Sequence, residues 1–547
     1  MEVAKEVEAP RRPEISLLRL VFCCTVAGGV QYGWALQLSL LTPYVQTLGL
    51  PHSLASIMWL CGPVAGFVVG PIVGLWSDRC RSRIGRRRPF IIAGCILIAC
   101  CVIVIGFSSD IGSVLGDTKE NCKLILFLLS LKHGALHYFL SKKQMNLFSL
   151  YVGPRWKAAI VYVVGFWVLD FSNNAVQGPA RAMMADLSAN IIYAFWMAFG
   201  NILGYSCGSI GDWYKWFPFL VTNSCCRACA NLKGAFLIAI IFLFICLSVT
   251  VIVAKEVPLY MLNPSETEQG GFGIFSVFTS FKNLPPGMPS VLLITSITWF
   301  SWFPFNLYST DWMGREIYHG DPKGTREEIA VYNRGVEKGA FGLLLNSVVL
   351  GITSMLLTPL CKKLSSKLVW VIGNFTIFLG MGAITALSII SNKSHTGSIS
   401  SAVVGPDGLR AGAVAIFTAL GFPLAVRLLL YTPYPSYLHP GASLTSSSSR
   451  IFCTASLSPV PRSSPRMRVA HSKVWLCIGV LNVSIVIPQV IVAAGAGPWD
   501  AVFGHGNIPA FALASVVALI GGFIGLAVLP KISADSLKSG GFGSSMH

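Results

Sequence analysis

Charge is scarce in this sequence. Only 12 % of its 547 residues are Asp, Glu, Lys or Arg, against about 25 % in a soluble domain. So few charges cannot cover a water-exposed surface of this size, which excludes an ordinary soluble protein. Catalytic signatures are missing too. There is no Gly-rich phosphate loop and no HExxH, which argues against an ATP-driven pump or a metal-dependent hydrolase. The sixteen cysteines show neither metal spacing nor a disulfide framework. The N-terminal stretch MEVAKEVEAPRRPEIS lacks an apolar core followed by a cleavage site, so the reading is a signal anchor rather than a cleaved leader.

What is abundant is apolar sequence, 54 % of the chain, gathered in long blocks. Runs of about 20 apolar residues are transmembrane helix candidates. They fall near 17–41, 53–75, 89–109, 158–178, 191–211, 233–254, 290–310, 340–361, 367–391, 411–431, 474–496 and 508–530. The net charge of +18 resembles that of a nucleic-acid binder, but the positive residues cluster in short loops beside the apolar runs. That is the positive-inside pattern, and no nucleic-acid partner is expected. With twelve spans, the basic loop Arg79–Arg88 and both termini share the cytosolic side.

The expected fold is an all-α membrane protein of twelve transmembrane helices in two six-helix halves. The halves are residues 1–254 and 290–547, joined by a charged cytosolic loop at 255–289. Such internal repetition is typical of secondary transporters. Two stretches stand apart. Residues 123–150 hold a short apolar run interrupted by Lys132 and His133, read as an interfacial helix or a disordered insertion. Residues 432–473 are rich in Ser, Pro and Arg with no acidic residue, and read as a disordered cytosolic loop.

The fourth span carries the chemistry. It reads VYVVGFWVLDFSNNAVQGPARAMMADL, with Asp170, Asn173, Asn174, Gln177 and Arg181 spaced for one helix face. Polar groups in lipid are costly unless they line a cavity or water path. A carboxylate there can exchange a proton, since burial favours its neutral form and a nearby Arg its charged form. The alternative is an Asp170–Arg181 ion pair that only fixes helix contacts. Gly178-Pro179 is expected to break the helix between Gln177 and Arg181. In the first span, Gln31, Trp34 and Gln37 combine amides with an aromatic ring. They suit a sugar's hydroxyls and C–H faces, or simply hydrogen-bond between helices. After the seventh span, Asp311 and Arg315 form an i, i+4 pair beside Glu316. They are read either as an outer gate or as a solvated helix end. Asp78, Arg86 and Arg87 are candidates for a cytosolic latch, or for topogenic charge alone. Cys225, Cys226 and Cys229 fall on the outside, where a disulfide can form.

The strings QYGWALQLSLLTPYVQ, WLCGPVAG, SDRCRSRIGRRRPF, LDFSNNAVQGPARAMMADL, TDWMGREIYHG, YNRGVEKGAFGLLLNS and GAGPWDAVFG closely resemble the plant sucrose–proton symporters. These form part of the glycoside–pentoside–hexuronide branch of the major facilitator superfamily. The resemblance implies a non-enzymatic carrier of sucrose, or related glucosides, by alternating access. Protons are the coupled partner, the proton gradient is the energy source, and no cofactor or metal is involved. It implies Asp170 as proton acceptor and transport-associated roles for Arg181, Asp311, Arg315, Glu316 and His52. It further implies a lipid-embedded protein of the plasma membrane, the vacuolar membrane being the alternative. The chain departs from the family pattern at 123–150, after Asp186, at Ser309 and from Val426, where the text reads like out-of-frame or intronic sequence. The alternatives to a symporter are therefore a sugar-binding receptor and a transport-impaired splice or gene-model variant of the same fold.

Overall fold

The computed structural model describes residues 16–118, 155–186, 190–222, 224, 227–254, 288–395, 406–428, 465–503 and 506–529. Within them, besides the short helices Ser108–Val114, Trp213–Trp216 and Pro218–Leu220, the chain forms twelve helical rods, six on each side of residues 255–287. The rod α1 is composite: Leu17–Cys23, Thr25–Leu36, a π turn Gln37–Leu41 and Thr42–Thr47. The rod α2 joins His52–Met58 to Cys61–Arg79 across a break at Trp59 and Leu60. Then come α3 (Arg88–Gly106), α4 (Trp156–Asp186), α5 (Asn190–Ser209) and α6 (Arg227–Val253). In the second half, α7 (Met288–Trp312) ends in a π turn, Met313–Ile317. It is followed by α8 (Arg326–Leu364), α9 (Ser366–His395), α10 (Pro406–Ala419 with Gly421–Leu428), α11 (Pro465–Val502) and α12 (Ile508–Val528).

Ten helices among the described residues are long and apolar enough to cross a membrane. Their outward faces carry exposed Ile96, Ile160, Ile245, Leu379 and Phe523, as lipid contact requires. The other two rods, α1 and α5, are packed on each other. The amide of Gln31 on α1 donates to Asn201 Oδ1 on α5 at 2.9 Å. Their fit depends on small residues at four-residue spacing, which lets backbones approach closely. Gly200, Gly204 and Gly208 of α5 lie against Gly28, Tyr32 and Ser39 of α1. A Cβ on Gly200 would stand 2.3 Å from the Gly28 carbonyl oxygen, a backbone atom that cannot swing away. Gly200→Val is therefore expected to cost at least about 1–3 kcal/mol, read as a lower melting temperature of the purified protein. Gly33→Ala is the control, since nothing lies within 4 Å of its added Cβ. Equal melting of the two variants would refute this packing.

Elsewhere the helix ends follow their sequence. Thr325 caps α8: its hydroxyl accepts from Glu328 N at 3.3 Å, and the Glu328 carboxylate accepts from Thr325 N at 2.6 Å. Near the first half's Asp110, the Lys233 ammonium on α6 pairs with that carboxylate and sits 4.3 Å from the Phe107 ring centroid.

Three expectations change. Pro179 does not break α4, which runs unbroken from Trp156 to Asp186. Proline is tolerated inside a buried membrane helix because neighbouring helices satisfy the freed groups, and Gly178 lies against the Gly70 carbonyl of α2. The loop at 432–473 ends earlier than its composition suggests. The α11 helix starts at Pro465, and a proline suits the first turn, where its missing N–H costs nothing. The rods also outrun the apolar runs: α8 spans 39 residues and α4 31. Residues 123–150 and 255–287 lie outside the described residues.

Candidate functional site

Asp170 lies midway along α4 and is fully buried. Beside it passes α2, restarting after its break. Trp59, just before that restart, is anchored by its Nε1 donating to Thr42 Oγ1 at 2.8 Å and by edge contact with Phe166, one turn before Asp170. The restart brings Cys61 and Gly62 against the carboxylate. The Cys61 thiol donates to Asp170 Oδ2 at 3.3 Å, and a Cβ on Gly62 would lie 3.1 Å from the same oxygen. Asp170 Oδ1 is buried and has no hydrogen-bond partner among the described residues.

The rest of the α4 stripe divides. Asn173 is buried and its Nδ2 is unpartnered among the described residues. Asn174 donates back to the Asp170 carbonyl at 2.9 Å. Arg181 is exposed and donates to Gln177 Oε1 at 3.1 Å. It makes no ion pair with Asp170, so the pairing alternative fails. Three turns of helix separate the two groups, too far for one side chain to span.

On α1 the amides also divide. Gln31 is used between helices, through Asn201. Gln37 opens the π turn, is buried, and leaves Oε1 unpartnered, as Trp34 leaves its Nε1. Buried polar atoms without partners are rare, because each costs about 1–3 kcal/mol. Asp170, Asn173, Gln37 and Trp34 thus leave one acceptor oxygen or donor N–H each for water or a polar solute.

The α7 group is not a solvated helix end. Asp311 is fully buried; its Oδ1 accepts from Arg315 Nε at 3.1 Å and from the Tyr332 hydroxyl at 2.6 Å, and its Oδ2 accepts from Asn507 Nδ2 at 3.1 Å. Glu316 Oε1 accepts from Asn507 N at 2.7 Å. The Arg315 guanidinium donates to Gln46 Oε1 on α1, so it ties the two halves together. Both helices carry a π turn next to this contact, at Gln37–Leu41 and Met313–Ile317. Such turns recur at functional sites because the extra residue re-aims the side chains after it. Beyond Glu316, His319 adopts a left-handed φ of 55° and is held by Ser391 Oγ at 2.9 Å and by the His395 ring stacked at 4.1 Å.

Of the remaining candidates, Arg87 is buried where α3 begins and Arg86 also has partners in the fold. The side chains of Asp78 and His52 lie outside the described residues, so the latch and the His52 role are not placed. Cys229 is disulfide-bonded, while Cys225 and Cys226 are not described. No group of three or more His, Cys, Asp or Glu that could hold a metal occurs among the described residues. Sequence reading missed Cys61, Gln46, Tyr332 and Asn507. The first lies in WLCGPVAG without an assigned role, and the others carry no local signal.

The family described as MFS/sugar transport protein matches residues 27–150. Sucrose transport protein SUT1 of Oryza sativa subsp. japonica is 53 % identical over 549 aligned residues, covering 98 % of this chain and 91 % of that protein. The chain belongs to the sucrose transport protein family. SUT3 of the same rice is 51 % identical, covering 97 % and 96 %; SUC3 of Arabidopsis thaliana is 43 % identical, covering 96 % and 90 %. Among solved structures, a D-xylose-proton symporter matches with a TM-score of 0.54 at 13 % identity, covering 95 % of this chain and 99 % of that one. The nucleoside transporter NupG matches at 0.51 and 9 %, covering 93 % and 98 %. At these identities the structures establish the fold alone. This family member is an integral, multi-pass membrane transporter with the major facilitator fold, not an enzyme.

Proposed function

We propose that the chain carries sucrose together with a proton across a membrane by alternating access, with Asp170 as the proton acceptor. The observation that carries this reading is the buried Asp170 carboxylate, with one oxygen held by a thiol and the other unpartnered. A carboxylate in that setting takes a proton when its surroundings are dry and releases it when water enters. Alternating access supplies that change, since rocking of the two halves wets the site from one side and then the other. The unpartnered polar atoms of Asn173, Gln37 and Trp34 are the proposed contacts for sugar hydroxyls and a ring face. The Arg315–Gln46 contact closes the end of the bundle opposite the Arg79–Arg88 loop. Charge bias places that loop in the cytosol, so the contact is an outer gate. All twelve rods then cross the membrane, and the plasma membrane is the proposed one, with the vacuolar membrane as the alternative. The energy source is the proton gradient, with no cofactor.

The test is expression of the full chain in oocytes with sucrose added at acidic outside pH. An inward current with uptake of labelled sucrose is expected. Sucrose binding without current or uptake would overturn the symport reading in favour of a receptor or an impaired carrier.

A further inference from the structure

We infer that Cys61 is a positioning residue for the proton site, its thiol fixing Asp170 Oδ2 so that Oδ1 is the oxygen that takes and releases the proton. The inference rests on the reading of Asp170 as proton acceptor. Its geometry is independent of any sugar. The thiol and the carboxylate are both fully buried, on different helices, and the S···O distance is 3.3 Å. The contact requires the break in α2, which sets Cys61 at the first residue of the restarted helix. It also requires Gly62, where any side chain would crowd the same oxygen.

Other titratable groups on the elements around α4 are engaged elsewhere. From α1, Cys24 donates to Met184 Sδ and Tyr44 packs on the Tyr162 ring. On α4 itself, the Tyr162 hydroxyl donates to Leu41 O, and Arg181 is turned to Gln177. From α3, the Cys101 thiol meets Ser172; from the helix Ser108–Val114, Asp110 pairs with Lys233. Among the described residues, the one side-chain bond to the Asp170 carboxylate is that from Cys61.

The chemistry is a plain proton transfer. An O–H bond forms at Oδ1 with a proton delivered by water, and the same bond breaks when water on the other side accepts it. The thiol keeps its own proton throughout. Donation to Oδ2 favours the ionised carboxylate, so removing the donor favours the protonated form. One hydrogen bond of this kind shifts the protonation balance roughly three- to tenfold.

The test is pH-difference infrared spectroscopy of the purified full-length protein, following the carboxylic C=O band that Asp170→Asn removes. In Cys61→Ala the midpoint of that band should rise by about half to one pH unit. Cys61→Ser, which keeps a donor, should stay near the wild type. The pH of half-maximal sucrose uptake should move in the same direction. An unchanged band midpoint in Cys61→Ala, or uptake lowered equally at every pH, overturns the inference. A band that shifts while the wild type shows no sucrose uptake sustains the Cys61 role and overturns the transport reading instead.

Discussion

In Asp170→Asn, concentrative sucrose uptake and its pH dependence are both expected to vanish. Asparagine has the same shape as aspartate and still offers an oxygen to the Cys61 thiol, so the packing of α2 on α4 survives. It cannot take a proton. In the proposed symport, one proton moving with each sugar would contribute about 1.4 kcal/mol per pH unit and about 2.3 kcal/mol per 100 mV of membrane potential. Together these support accumulation of roughly several hundredfold. Without the titrating group the chain can at most equilibrate sucrose, so accumulation falls to unity and the sucrose-evoked current disappears. Labelled-sugar accumulation and current in the same oocytes measure both quantities. Wild-type values in the variant would remove Asp170 from its assigned role.

Asp311→Ala is expected to be the most destabilising single change at the contact between the halves. The buried carboxylate accepts from Arg315, Tyr332 and Asn507 together. Deleting it strands a largely buried guanidinium and leaves Tyr332 and Asn507 short of an acceptor. Breaking a buried pair from one side costs about 3–5 kcal/mol. The loss should reach the contact between the halves, because Arg315 is then free to leave Gln46. The comparison is Asp407→Ala. Its pair with Arg410 has the same kind of geometry, at 3.0 Å, but the Asp407 side chain is 97 % exposed, and water screens such pairs almost completely. Melting of the purified variants, followed by tryptophan fluorescence, should separate them widely. Removing Arg315 as well should recover part of the loss, since no uncompensated charge then remains. Similar melting of Asp311→Ala and Asp407→Ala would show that the cluster does not hold the halves together.

Much of this protein was readable without coordinates. Low charge and apolar blocks of about 20 residues required lipid as solvent, because neither can be reconciled with a water-facing surface. The loop at Arg79–Arg88 and the spacing of the blocks led to the expectation of two halves of six. The stripe from Asp170 to Gln177 singled out α4 as the helix proposed to carry the chemistry, since ionisable and amide groups are costly in lipid. These are local or periodic properties, carried by composition and by the 3.6-residue repeat.

Other features arise only when distant segments meet. Asp170 and Arg181 share a helix face in the sequence, yet the partner of Asp170 is Cys61, 109 residues away. Asp311 and Arg315 have the spacing of any exposed helix pair. They became a buried bridge because Tyr332, Asn507 and Gln46 converge on them from α8, the turn before α12 and α1. Pro179 has the local signature of a helix break, and neighbouring helices overrule it. In each case the deciding quantity is burial. Burial turns a weak, screened interaction into a costly one that must be satisfied, and it is a property of the packed bundle rather than of any stretch of chain.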